Sequence, residues 1–313
     1  MNNENKPGYF RNPITQKSAA DPFITYVDGY YYCLYTMVDK LGIYRSASFG
    51  TLLSGEYKTV YTAGNEVQSC IWAPEMYHIN GKWYIYSSGS TKGTDFDSIR
   101  MFCLESEGDD PFGTYNFKAF TDPGIYAIDQ SIYCQPETGA LYIAYASVTP
   151  QHGNAVVIAE MENPWTIGAE RALISVAEYP WELRRGRVNE GPFFLANGDK
   201  LFILYSANDT AAPDYCVGLL EYTGGCITDS VAWKKHSSPV FRSNDKVCSV
   251  GHCSVFRSPD KSEHWLAYHG RISPDSPHRQ LYCQKFDFNE KGYPVFGAPI
   301  ADTDIAFPSG ENL

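Results

Sequence analysis

The sequence predicts an all-β fold, a single-domain five-bladed β-propeller, and three observations carry that prediction. A short phrase recurs five times along the chain: a small functional residue, an extended apolar stretch, a turn, then an aromatic-rich strand. The copy in residues 71–88 shows it best, running from Ile71-Trp72-Ala73-Pro74-Glu75 through Asn80-Gly81 into Lys82-Trp83-Tyr84-Ile85-Tyr86. The openings that align with Ala73 are Asp21, Asp129, Glu190 and His252, at steps of 52, 56, 61 and 62 residues (73−21, 129−73, 190−129, 252−190). A repeat of that length built of strands and hairpins is a four-stranded propeller blade. Turn dipeptides supply the third observation. Asp28-Gly29, Asn80-Gly81 and Asn197-Gly198 provide the positive φ that tight hairpins require, while Glu137-Thr138-Gly139 and Pro259-Asp260 turn the other two copies.

Each blade follows in order. Residues 1–18 form a polar lead-in, residues 19–298 the propeller and residues 299–313 a C-terminal tail. Blade one (about 19–68) opens Ala20-Asp21-Pro22-Phe23, where Pro22 lacks a donor N–H and so marks a strand start. Blade two (about 69–124) carries a polar excursion, Ser87 to Ser98, of the kind found at site mouths and on mobile surfaces alike. Blade three (about 125–184) opens Ile128-Asp129-Gln130-Ser131. Blade four (about 185–246) opens Val188-Asn189-Glu190-Gly191-Pro192, and blade five (about 247–298) opens Val250-Gly251-His252-Cys253.

Composition narrows the function classes. Aromatic residues make up 15% of the chain and fall mainly in the strands, while the net charge of −11 argues against a phosphate-binding surface and so against nucleic acid. No apolar run is long enough to span a membrane. Met1 to Pro7 shows no basic-then-apolar leader pattern, and nine cysteines, an odd number, match no zinc spacing. Buried free thiols and the missing leader point to a cytoplasmic protein. The oligomeric state is not written in the pattern.

In a propeller the first strand of each blade lines the axis, so Asp21, Ala73, Asp129, Glu190 and His252 converge on one funnel. Three carboxylates and an imidazole at equivalent positions are not the residues of an ordinary core, because an unpaired buried charge is costly. Paired carboxylates are the equipment of glycosidic bond hydrolysis, one protonated to help the leaving oxygen depart and one ionised to activate water. A third carboxylate helps separate their pKa values. Any one acid alone reads better as a turn cap or an arginine partner. Glu75, further along its strand, and His269 read as structural. Trp72 fits a sugar-stacking face or plain core packing equally, and His252 an axial cation, a water or a satisfied core histidine. Arg279 is placed to orient an acid or to bind a sugar hydroxyl.

The openings Ala20-Asp21-Pro22, Trp72-Ala73-Pro74-Glu75, Ile128-Asp129, Val188-Asn189-Glu190-Gly191-Pro192 and Gly251-His252 together resemble glycoside hydrolase family 43 over nearly the whole chain. The resemblance implies a five-bladed propeller and an inverting glycosidase. It implies Asp21 as general base, Glu190 as general acid and Asp129 as the acid that tunes and orients, with Arg279 supporting the acid. It also implies a calcium ion at the axis, reached by His252 directly or through water, and no organic cofactor. Asn163-Pro164-Trp165-Thr166, Tyr179-Pro180-Trp181-Glu182 and Val231-Ala232-Trp233-Lys234 look like the exo-acting α-L-arabinofuranosidase branch, which releases terminal L-arabinose from α-1,5-linked substrates. With no stretch left over for a carbohydrate-binding module, short oligosaccharides are the expected substrate. A β-D-xylosidase is the rival within hydrolases, and a non-catalytic sugar-binding propeller the rival outside them.

Overall fold

The structure, a computed structural model, describes residues 6–122 and 124–311; the first five residues of the lead-in, Pro123 and the last two residues of the tail lie outside it. Five antiparallel sheets follow one another in sequence order, each starting at the axis and stepping outward. Blade one comprises Phe23–Val27, Tyr30–Leu34, Lys40–Ser46 and Glu56–Thr62; blade two Ser69–Ile79, Lys82–Ser90, Ile99–Ser106 and Tyr115–Asp122. Blade three comprises Ile128–Cys134, Leu141–Thr149, Gly153–Asn163 and Thr166–Ser175. Blade four has Asn189–Asn197, Lys200–Ala207 and Cys216–Tyr222, with an outer strand in two pieces, Trp233–Lys235 and Phe241–Arg242, both paired with the third strand. Blade five has Cys248–Arg257, His264–Arg271, Gln280–Phe288 and Pro294–Val295. No α-helix occurs among the described residues. The expected five-bladed propeller is the fold.

The hairpins follow the turn chemistry. Asp28 and Gly29 have φ of 49° and 86°, Asn80 and Gly81 of 51° and 79°, both central residues positive as a two-residue hairpin matched to strand twist demands. The excursion of blade two is shorter than expected. The second strand runs on to Ser90, leaving residues 91–98 and a single 3-10 turn, Phe96–Ser98.

The inner strands are bent at their axial ends. A left-handed residue sits there in every blade: Asp21 (φ 56°), Ala73 (49°), Asp129 (62°), Gly191 (53°) and His252 (49°). In blades two to five these residues lie within β-bulges, where pairing registers shift. A bulge bends its strand and re-aims a side chain. Blade four corrects the sequence alignment by one position. The left-handed residue there is Gly191, for which positive φ costs least, while Glu190 stays in the ladder opposite Ser206.

The ring closes through the chain ends, which the sequence did not show. Tyr9–Phe10 pairs antiparallel with Ile305–Ala306, and Ile14 and Ala19 donate their N–H groups to Leu281 O and Arg279 O on blade five. Asn12, buried, accepts the Cys283 N–H (2.9 Å) and donates to Cys283 O (2.8 Å) and Ile300 O (2.9 Å). Near the tail's end the Glu311 carboxylate accepts from Tyr31 Oη (3.1 Å) and from the Phe49 N–H (3.0 Å) of blade one.

Candidate active site

Asp21 ends the lead into blade one and is buried. Its Oδ1 receives Arg279 Nη1 at 2.8 Å and lies 3.1 Å from His269 Nδ1 and 3.4 Å from His252 Nδ1; its Oδ2 accepts from Thr36 Oγ1 at 2.7 Å. Burial pushes this carboxyl's pKa upward, but the Arg279 guanidinium opposes it most strongly, and the group is held well below the usual carboxylate range. Asp21 is therefore ionised at any working pH.

Glu190 meets the opposite environment. It contacts two neutral donors, Tyr215 Oη on Oε1 (3.0 Å) and Asn154 Nδ2 on Oε2 (3.4 Å). Burial raises its pKa most; Tyr215 opposes that and the Asp21 charge adds to it, leaving the group at about 7. Asp129 is also buried and also raised, by burial first, then by Glu190 and Asp21, with the Gly191 N–H (3.0 Å to Oδ2) pulling the other way. The three acids thus sense one another electrostatically, and their environments separate one ionised carboxylate from two that hold protons more tightly.

The remaining expected residues fall as follows. Arg279 pairs with Asp21, the expected base, and its charge also reaches Glu190 and Asp129. His252 turns Nδ1 toward Asp21, and burial lowers its pKa, which favours the neutral ring. Among the described residues no group of three or more His, Cys, Asp and Glu side chains is set to ligate an ion. Arg279 already supplies positive charge beside His252. These side chains therefore do not assemble a direct shell for the calcium expected at His252, and the chemistry below uses none. Trp72 is half-buried, its ring 5.5 Å from that of Phe96 in the 91–98 excursion. Glu75 lies deeper, its carboxylate bonded by Tyr77 Oη, and burial raises it to about 8.

Several neighbours escaped the sequence reading. His269, read there as structural, touches Asp21 directly and stacks on Tyr215 (centroids 5.4 Å apart, planes at 7°). Tyr215 and Asn154 hold Glu190 from outside the inner strands, and Thr36 follows the second strand of blade one. A Cβ on Gly251 would collide with the Tyr215 ring. A glycine just before His252 was the one available signal for that close approach, but strand glycines have several causes.

Comparison with known proteins places this geometry. The family model for Glycosyl hydrolases family 43 matches residues 10–294. An extracellular exo-α-(1→5)-L-arabinofuranosidase of Streptomyces avermitilis is 34% identical over 322 residues, covering 96% of this chain and 66% of that protein. The chain thus spans about two thirds of that relative's length. A second protein of the same name, from Streptomyces chartreusis, is 32% identical over 85% of this chain and 84% of its own length. The crystal structure of an α-L-arabinofuranosidase from Lactobacillus brevis superposes with a TM-score of 0.86 at 29% identity, covering 94% of this chain and 98% of that one.

Both Streptomyces relatives are named extracellular enzymes, which overturns the cytoplasmic expectation. The cysteine argument failed for a physical reason. All nine thiols are free, but seven are buried, with only Cys134 and Cys226 exposed. Burial raises thiol pKa values, as at Cys33 and Cys253, and a shielded, protonated thiol resists oxidation in any compartment. The buried carboxylates of three blades, held on a five-bladed scaffold that matches the family model over residues 10–294, carry one conclusion: the chain belongs to glycosyl hydrolases family 43.

Proposed function

We propose that the protein is an inverting exo-α-L-arabinofuranosidase that releases terminal L-arabinofuranose from α-1,5-linked arabino-oligosaccharides. The observation that carries the mechanism is the contrast between two buried carboxylates. Asp21 is clamped by Arg279 and stays ionised, whereas Glu190 has only neutral donors and keeps a proton up to about pH 7. That is the division of labour an acid and a base need. Water attacks the anomeric carbon and loses a proton to Asp21. The glycosidic C–O bond breaks with its electrons on the leaving oxygen, which takes the proton of Glu190. The Asp21 charge raises the affinity of Glu190 for that proton, while Asp129, itself raised by burial and by Glu190 and Asp21, is oriented by the Gly191 N–H. The sugar and linkage are supported by the activity for which both Streptomyces relatives are named.

The test is release of L-arabinose from α-1,5-arabinotriose, with the first-formed anomer read by proton NMR. Stepwise release of the β-anomer is expected. Glu190→Gln and Asp21→Asn should each lower kcat roughly 100-fold or more while remaining folded. Turnover near the wild-type rate in either variant would remove that residue from its role. Hydrolysis of 4-nitrophenyl β-D-xylopyranoside in preference to the α-L-arabinofuranoside would transfer the mechanism to a xylosidase.

A further inference from the structure

The left-handed residue at the axial end of each inner strand turns its N–H away from its own sheet, and in three blades the same device from the preceding blade receives it. The Ala73 N–H donates to Thr36 Oγ1 (2.9 Å), the His252 N–H to Ser206 Oγ (2.8 Å) and the Asp21 N–H to His269 Nδ1 (3.3 Å). Thr36, Ser206 and His269 share one register position. Each lies on the second strand or its extension, opposite the residue that precedes the left-handed one: Thr36 opposite Ala20, Ser206 opposite Glu190, His269 opposite Gly251. The same position in blade two is Ser88, buried with no hydrogen-bond partner for its Oγ among the described residues, and in blade three Ala146, whose side chain has no acceptor to offer. In that last case the Asp129 carboxylate takes the Gly191 N–H instead.

Thr36 differs from the other two because its hydroxyl also donates to one of the acids. The Ala73 N–H occupies a lone pair, so Oγ1 acts there as acceptor, and its own O–H donates to Asp21 Oδ2 at 2.7 Å. Oδ1 is crowded by Arg279, His269 and His252, whereas among the described residues Thr36 is the one donor on Oδ2. We propose that Thr36 is a positioning residue for the hydrolytic base: tied to blade two, it fixes the rotation of the Asp21 carboxylate and leaves the second lone pair of Oδ2 as the site that takes the proton of the attacking water. The inference rests on the hydrolase reading above. It adds a residue just past the second strand of blade one, whose work is done through Asp21, with no contact to sugar required.

The experiment compares wild type with Thr36→Val, Thr36→Ala and Thr36→Ser on 4-nitrophenyl α-L-arabinofuranoside, with melting temperature measured alongside. Misaiming a reacting group by a fraction of an ångström to an ångström costs up to about 100-fold. Thr36→Val and Thr36→Ala are therefore expected to lose about 10- to 100-fold in kcat with KM within about threefold of wild type. Thr36→Ser, which keeps the hydroxyl, should stay within about threefold in both. A kcat within threefold of wild type in Val or Ala overturns the proposal. So does an equal loss in Ser, or a loss that appears in KM alone. If Val fails to fold, Ala, which adds no bulk, decides the same question. Wild-type protein that turns over no glycoside defeats the hydrolase reading and this inference with it. Wild-type turnover with unaffected Val and Ala variants defeats the inference alone.

Discussion

Glu190 and Tyr215 set a pH window. With Asp21 ionised far below neutrality and Glu190 losing its proton near 7, the competent pair exists below about pH 7 and disappears as pH rises through that value. The basic limb of kcat/KM, which reports the free enzyme, is expected there. The Tyr215 hydroxyl bonds the Glu190 carboxylate and so favours its charged form. Tyr215→Phe removes that stabilisation, and the basic limb should move to higher pH. A limb that stays put or moves down would separate Tyr215 from the titration. Both residues were visible as letters, yet only Glu190 was legible as chemistry. Its place in the repeat marked it, whereas Tyr215 begins its work from a loop before a third strand, at a position without a counterpart that sequence alignment of the blades reveals.

At the scale of strands and turns, the hairpin dipeptides and aromatic second strands were readable because their causes are local. Positive φ at Asp28-Gly29 and Asn80-Gly81 is a property of those dipeptides. The bulges were not readable. Whether Glu190 or Gly191 takes the left-handed position depends on pairing with Ser206 across the sheet, and a one-residue offset leaves the repeat spacing nearly unchanged. The latch of Thr36 on Ala73 depends on a neighbouring blade, so nothing within its own strand announces it. Close packing at these bends is testable. Gly251 leaves the space that the buried Tyr215 ring fills. Gly251→Ala should cost about 1–3 kcal/mol through overpacking, seen as a lowered melting temperature, and should also reduce kcat because the ring that moves carries the hydroxyl on Glu190. Unchanged stability and rate together would mean the ring has room to shift.

The whole molecule is held shut by its ends. Asn12 joins the lead-in to blade five and the tail through three hydrogen bonds from one buried amide. Asn12→Ala leaves those backbone groups unpaired, at about 1–3 kcal/mol for each group left buried without a partner. A clear fall in melting temperature is expected, with kcat at 25 °C little changed because Asn12 has no contact with the acids; an unchanged melting temperature would show that closure rests on the sheet pairings. The closure also has a bearing on biosynthesis. Asp21 is synthesised before Arg279, which offsets its burial, and before His269 and His252, all three of them in the last blade. Domains form from the N-terminus during synthesis at about 5–20 residues per second. For the roughly ten seconds or more that separate residue 21 from residue 279 at that pace, the nascent chain lacks the Arg279 guanidinium and offers this carboxylate only the Thr36 hydroxyl of blade one. Four finished blades would still lack the Arg279–Asp21 pair, so hydrolytic activity arrives with the final blade rather than building up as the ring grows.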